Sequence, residues 1–253
     1  MDPALLATLV TASVSLVLAV GKIIWDWRDK KHEQRMAARE KLDRYRAPLL
    51  AAVDELGNRI NSIRNDGFLA YLDIDNRRET ALLSTHFRVA QYLGWIEIIY
   101  GYSHRLQFEA DDLTRKVTRT LGEIARILAS DKFDRVDAND FTSTSFLLWR
   151  EEQRAIGELM RKSGHEPGCI GFASFSAAYE SRFSRWFATF ESDLRRPSAP
   201  QSDRLRELQR VVARLACELD VDRVLVQTDK SGNVVTPRWA QPPAASKSET
   251  APR

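Results

Sequence analysis

The sequence predicts an all-α protein with an N-terminal transmembrane helix, a helical stalk, a cytoplasmic helical bundle and a small C-terminal hairpin. Three observations predict this architecture. An uncharged apolar run opens the chain, an excess of Lys and Arg follows it, and apolar residues then recur at steps of three and four. The length of 253 residues and the 43% hydrophobic content suffice for a folded core. The two cysteines are too few for a disulfide scaffold.

Residues 3–25 form the predicted transmembrane helix. No residue between Asp2 and Lys22 is charged, and about 20 mainly apolar residues suffice to cross a hydrocarbon core of about 30 Å. Trp25 and Trp27 follow, where aromatic residues often mark the membrane interface. A cleaved signal peptide is disfavoured because the run lacks a basic leader and a small-residue cleavage site. A buried core helix is disfavoured because the run ends directly in a charged segment.

The basic charge of the chain is concentrated beside this predicted span. Residues 22–46 contain nine Lys or Arg and five acidic residues, whereas the whole chain carries a net charge of +3. By the positive-inside rule, the C-terminal side stays in the cytoplasm and the N-terminus lies outside the inner (plasma) membrane. We therefore expect anionic lipid headgroups as partners and no nucleic acid. The basic residues nearest the span are Lys22, Arg28, Lys30 and Lys31.

A stalk and a bundle follow in the predicted order. Residues 26–46 lack Gly and Pro and continue the span as a basic helical stalk, and a kink or a new helix start is expected at residues 46–48 because of Pro48. Residues 47–220 form the bundle, because three apolar stripes each need a buried face. The stripes are Leu49, Val53, Leu56, Ile60 and Ile63; Leu113, Val117, Leu121, Ile124 and Leu128; and Leu205, Leu208, Val212, Leu215 and Leu219.

The pattern changes after the bundle. Residues 221–236 place alternating valines on both sides of the turn-rich segment DKSGN, which is compatible with a small hairpin or flap. Residues 237–253 combine Pro, Ala, Ser and charge with an isolated Trp239, and this composition predicts a disordered tail.

The candidate site is a buried polar cluster of Glu97, Gln153 and Arg150. Glu97 lies on one helix line with His86, Leu93, Tyr100 and His104, among apolar residues, so its carboxylate needs a partner. Gln153 falls on the apolar stripe Trp149, Ile156 and Met160 and also needs a partner. The cluster is either a ligand-binding or catalytic site or, as we favour, a structural polar network.

The other motifs carry weaker chemical signals. Aromatic residues at steps of three and four from Phe172 to Phe190 favour a core face over a ligand pocket. Cys169 with His165 lacks a third orienting group for nucleophilic catalysis. The common phosphate-binding, hydrolase and metal-binding motifs are absent from the sequence, so we expect no metal and no cofactor, and we favour a non-enzymatic function.

Four strings carry a resemblance: YRAPLL (45–50), HFRVAQYLGWIEII (86–99), WREEQRAIGEL (149–159) and GCIGFASF (168–175). The chain resembles a group of bacterial helical proteins of unknown function that are predicted to be membrane-anchored. The resemblance covers most of the bundle and implies that these strings belong to one folding unit. It implies no activity and no catalytic residue.

The sequence as a whole predicts a membrane-anchored cytoplasmic module for interaction or regulation. One alternative is a membrane effector that forms homo-oligomers through small residues of the span, such as Thr11 and Ser15. The other is a membrane-tethered enzyme that acts through the polar cluster around Glu97.

Overall fold

The structure, a computed structural model, describes residues 22, 44–103, 112–134, 144–164, 166–221 and 237–240. This part of the chain is helical and contains no strand, so the predicted all-α class is confirmed for it. The predicted span apart from Lys22, the stalk up to residue 43 and residues 222–236 of the predicted hairpin lie outside the described residues. Within the ranges given above, no helix is both long enough and apolar enough to cross a membrane.

Seven helices make up the described domain. Helix α1 covers residues 44–65. The others are α2 (Asp75–Ser103), α3 (Asp112–Ala129), α4 (Arg150–Met160), α5 (Phe172–Ala178), α6 (Ser184–Leu194) and α7 (Asp203–Leu219). A π-helical segment, Tyr179–Phe183, joins α5 to α6, and short 3-10 turns cover Phe68–Asp73, Ala199–Gln201 and Arg238–Ala240.

Residues 44–48 are all helical, so the expectation of a new helix start at residues 46–48 is wrong, while the alternative of a kink there stays a prediction. Proline removes one backbone donor from the helix, but the side chains on both sides of Pro48 are held in the core. Tyr45 is buried and Leu49 is completely buried. Among the described residues, the hydrophobic core therefore includes a residue two positions before the predicted boundary at residue 47.

The apolar stripes form the core as their periodicity predicts. All five residues of the first stripe and all five of the third are buried. In the second stripe, Leu113 is half-buried and the other four residues are buried. Trp149 does not follow its predicted stripe and is 60% exposed. It precedes the first residue of α4 and has extended backbone, so helical spacing does not apply to it.

Helices α2 and α4 pack closely because each presents a glycine to the other. A Cβ atom on Gly157 would lie 2.7 Å from the Leu93 carbonyl oxygen and 3.0 Å from Cβ of Glu97. A Cβ atom on Gly94 would lie 2.7 Å from Cβ of Met160. Larger side chains at either glycine would push the two helices apart.

Helix α1 lies beside both α2 and α7. Arg88 on α2 forms an ion pair with Glu55 on α1 at 3.3 Å, and Arg59 on α1 donates to Ser84 Oγ on α2, also at 3.3 Å. On the other side, Gln209 on α7 donates to Asn61 Oδ1 on α1 at 3.0 Å.

The tail is ordered at its beginning. Residues Pro237–Ala240 pack on the domain, and Trp239 is only 7% exposed. The prediction of disorder from residue 237 is therefore wrong for these four residues, because the isolated Trp239 packs against α1 and joins the hydrophobic core. The rest of the predicted tail lies outside the described residues.

A completely buried arginine connects three parts of the fold. Arg204, in the first turn of α7, is 0% exposed. Its guanidinium donates to four carbonyl oxygens, at the C-terminal end of α3 and in the segment that precedes α4. These acceptors are Ile127, Leu128, Ser130 and Ser145.

Two aspartates lie beside the junction that Arg204 forms between α3, α7 and the segment before α4. Asp134 accepts hydrogen bonds from the hydroxyls of Ser145 and Ser202 and from the backbone N–H of Asp203. Asp193, also completely buried, accepts from the N–H of Phe146 at 2.6 Å. Phe146 has a φ of 53°, which is unfavourable for a bulky residue, so this hydrogen bond and its burial hold it in a strained conformation.

We expect Arg204→Lys to lower the free energy of unfolding by about 3 kcal/mol. The reason is that a lysine ammonium group cannot donate hydrogen bonds to all four carbonyl oxygens that the planar guanidinium binds. The control is Arg206→Lys, since Arg206 forms an exposed ion pair with Asp203. Its effect should stay below about 0.5 kcal/mol. Urea unfolding of the full chain in detergent, followed by circular dichroism, measures both. Equal effects would show that the junction does not stabilise the fold.

Candidate functional site

Gln153, predicted in the polar cluster, lies between α4 and α3. It is buried, and its amide donates to the carbonyl oxygens of Ala125 at 3.0 Å and Leu148 at 2.7 Å. The partner that its buried position requires is therefore backbone, not the carboxylate of Glu97.

Arg150 lies on the surface at the beginning of α4. Its guanidinium donates to the carbonyl oxygen of Gly122 on α3 at 3.4 Å. Its charge also acts on the phenols of Tyr92 and Tyr100 on α2, although burial dominates and raises the pKa of both groups. Arg150 thus links α4 to α3 and faces the end of α2 that carries Glu97.

Glu97 is half-buried against Gly157, and its charge acts on Tyr100, as does that of Arg150. Within the described ranges, Glu97 has no hydrogen bond or ion pair to Gln153 or Arg150. The predicted three-residue cluster is therefore divided: Gln153 and Arg150 bond carbonyls of α3, while Glu97 packs between α2 and α4.

This division predicts different effects of two conservative substitutions. Gln153→Leu should lower the free energy of unfolding by about 2 kcal/mol, because two buried carbonyls lose their donor. Glu97→Gln should change it by less than about 0.5 kcal/mol. Urea denaturation of the two full-length variants tests this difference. A larger effect at Glu97 than at Gln153 would support the original interpretation of Glu97 as a buried, paired carboxylate.

A second polar pair lies in the core, between α2 and the π-helical segment. Nδ1 of His86 is 2.8 Å from the Tyr179 hydroxyl, and the His86 ring stacks on Phe187 with 4.6 Å between ring centres. His86 is completely buried, and its Nε2 atom has no hydrogen-bond partner among the described residues. Burial lowers the pKa of His86 to about 3, so the ring is neutral at pH 7.

The sequence pattern places His86 on the helix line of Glu97 but does not identify Tyr179 as its partner. The signal was present in the aromatic stripe of α5 and α6. Tyr179 is the residue of that stripe that offers a hydroxyl among phenylalanines, and a buried histidine requires a polar neighbour.

Tyr179 also lines a cavity of about 350 Å³ between the beginning of α2 and the π-helical segment. We call this cavity the α2–π groove. Its lining residues are Asp75, Arg78, Glu79, Leu82, Leu83, Ser176, Tyr179, Glu180, Glu191 and Arg195. A neighbouring cavity of about 490 Å³ shares Arg78 and Arg195 with it, so these two arginines form the ridge between the cavities.

The charge of the α2–π groove is negative. Arg78 pairs with Asp75 at 3.1 Å, and Arg195 pairs with Glu191 at 2.8 Å. Glu79 and Glu180 remain, and neither has an ion pair in the described part of the chain. Burial and the charges of Glu191 and Glu180 raise the pKa of Tyr179, so its hydroxyl stays protonated at pH 7. The groove can therefore accommodate a cationic group.

The burial of His86 makes the stability of the protein depend on pH. The unfolded chain binds a proton at His86 below about pH 6.5, whereas the folded chain does not until about pH 3. The contribution of His86 is therefore fully present above pH 6.5 and is lost as the pH falls towards 3. We expect the wild type to lose up to about 1.4 kcal/mol per pH unit more than His86→Phe below pH 6. Urea unfolding between pH 7 and 4.5 tests this, and parallel curves would contradict a buried, neutral His86.

The remaining chemical groups that the sequence analysis considers are the Cys169–His165 pair and metal ligands. Burial raises the pKa of the Cys169 thiol to about 12, and Sγ lies 3.8 Å from the carbonyl oxygen of Gln91. This thiol is therefore protonated at neutral pH, while His165 lies outside the described residues. Across those residues, no group of three His, Cys, Asp or Glu side chains is arranged to hold a metal ion.

Comparison of the chain with protein-family models, with curated proteins and with solved structures finds no match. The resemblance to bacterial membrane-anchored helical proteins therefore stays a prediction.

Proposed function

We propose that the protein is a membrane-anchored helical module that binds a partner or ligand in the cytoplasm. In this proposal residues 3–25 span the inner membrane with the N-terminus outside, and residues 26–46 form the basic stalk. One observation carries the proposal: among the described residues, the buried core already includes the end of the basic segment. Tyr45 is buried and its ring centre lies 6.4 Å from that of Trp95 on α2. The last residues of the basic segment are thus part of the folded domain.

The α2–π groove supports a binding role for the domain. It is accessible, and its two unpaired carboxylates, Glu79 and Glu180, favour a positively charged group on the partner or ligand. The buried polar side chains Gln153 and Arg204 have a different role, because they bond backbone carbonyls and hold helices together. An enzyme built on Glu97, Gln153 and Arg150 would require these three groups to act together, whereas two of them bond α3.

The proposed membrane anchor determines the cell fraction in which we expect the full chain. In bacterial cells that express it, we expect the protein to stay in the membrane fraction after an alkaline carbonate wash. Val14→Arg combined with Leu18→Arg should release it, because each arginine at the centre of a span costs about 2.5–3.5 kcal/mol. Immunoblots of the membrane and soluble fractions measure the distribution.

The matched control is Val14→Leu with Leu18→Ile, which keeps the segment apolar and should keep the protein in the membrane. Retention of the double-arginine variant would show that residues 3–25 are not the anchor. Cleavage of the domain by a protease added outside intact cells would show that the orientation is reversed.

A further inference from the structure

The C-terminal segment Pro237–Ala240 contributes one large side chain to the domain. The indole of Trp239 lies against α1 at Gly57, and its Nε1–H donates to Asp54 Oδ1 at 2.8 Å. On the other side, the carbonyl oxygen of Trp239 accepts from Gln209 Nε2 on α7 at 3.1 Å. The indole N–H and the backbone carbonyl of Trp239 are therefore bound by two helices, α1 and α7, that are distant in sequence from it.

The surface of α1 that contacts the indole has room for the ring only because residue 57 is a glycine. A Cβ atom at Gly57 would lie 2.2 Å from two indole carbons, so even alanine would occupy the space of the ring. Glycine destabilises the interior of a helix, and Gly57 is the only glycine among residues 44–65 of α1. The ring of Trp239 lies where the side chain of any other residue at position 57 would be. This explains why a glycine is found inside the helix.

The polar partners of Trp239 are themselves held in place. Asp54 accepts through its second oxygen from Asn58 Nδ2 at 3.1 Å, one helical turn away. Gln209 donates to Asn61 and accepts from Arg64, both on α1. The acceptor for the indole N–H and the donor to the backbone carbonyl are therefore preorganised. Phenylalanine would leave the Asp54 oxygen without this donor, so the arrangement selects tryptophan.

We propose that Gly57, Asp54 and Gln209 form a recognition slot for a short tryptophan-bearing segment, which Trp239 of the same chain occupies and which such a segment on a partner can enter in its place. The attachment of Pro237–Ala240 supports exchange, because it is made by four residues, of which Trp239 alone contributes a large side chain and two hydrogen bonds. Aromatic anchors in fitted pockets dominate many protein interfaces, and tryptophan is prominent among them. This site is separate from the α2–π groove, and its existence does not depend on the membrane anchor.

The test uses the full-length protein in detergent and a fluorescent peptide with the sequence of residues 234–243. By fluorescence anisotropy, the peptide should bind Trp239→Ala at least ten-fold more tightly than the wild type, because the wild-type slot is occupied. The same peptide with alanine in place of tryptophan should bind Trp239→Ala at least ten-fold more weakly. Thermal unfolding by circular dichroism confirms that each variant is folded. If Trp239→Ala loses its helical content, Trp239→Phe replaces it, since its ring lacks the indole N–H and the peptide should displace it.

A second substitution separates binding from folding. Gly57→Ala, added to Trp239→Ala, should abolish peptide binding while α1 keeps or gains helical stability. The matched control, Gly122→Ala, makes the same change on α3, where a Cβ atom would meet nothing within 4 Å, and should leave binding intact. The proposal is overturned if the folded Trp239 variant does not bind the peptide, if the wild type binds it equally well, or if Gly57→Ala has no effect.

Discussion

The buried guanidinium of Arg204 is the interaction on which the arrangement of α3, α4 and α7 depends. The last carbonyls of a helix have no partner within it, and at the end of α3 those of Ile127 and Leu128 are bound by a side chain of α7. Burial lowers the pKa of Arg204 to about 10, while the charges of Asp134, Asp193 and Asp131 act in the opposite direction. The side chain therefore stays charged at pH 7, and its positive charge suits the negative end of the α3 dipole.

Apolar and buried polar side chains have different roles throughout the domain. Apolar stripes supply the contact area between helices, whereas a small number of buried polar groups determine how the helices are placed relative to one another. Gln153 connects α4 to α3, and Gln209 connects α7 to α1. His86 and Tyr179 connect α2 to the π-helical segment. Each of these groups has a partner on another element, so a shift of one helix would break a specific hydrogen bond as well as reduce apolar contact.

Much of the fold could be predicted because helical periodicity reports which face of a segment is buried. The stripes of α1, α3 and α7 are the clearest examples. Periodicity does not report which polar atoms meet, and this explains the errors at the candidate site. The sequence predicts a cluster of Gln153 with Glu97, although the partners of Gln153 are backbone carbonyls, which every residue has and no motif identifies. No sequence pattern singles out Arg204, and the composition around Trp239 predicts disorder but does not report the slot at Gly57.

The π-helical segment explains how the aromatic stripe stays on one side of its helix. From Phe175 to Phe187 the buried residues are four positions apart, and in a regular helix each such step turns by about 40° too much. Over three steps the stripe would leave the core by about 120°, but the wider π turn at Tyr179–Phe183 takes up this rotation. Removing one residue from the π turn would restore a regular helix in which Phe187 lies only about 20° past three full turns from Phe175, so its ring would still face His86. The π turn therefore acts as one extra residue, which the helix can lose without turning the aromatic stripe out of the core.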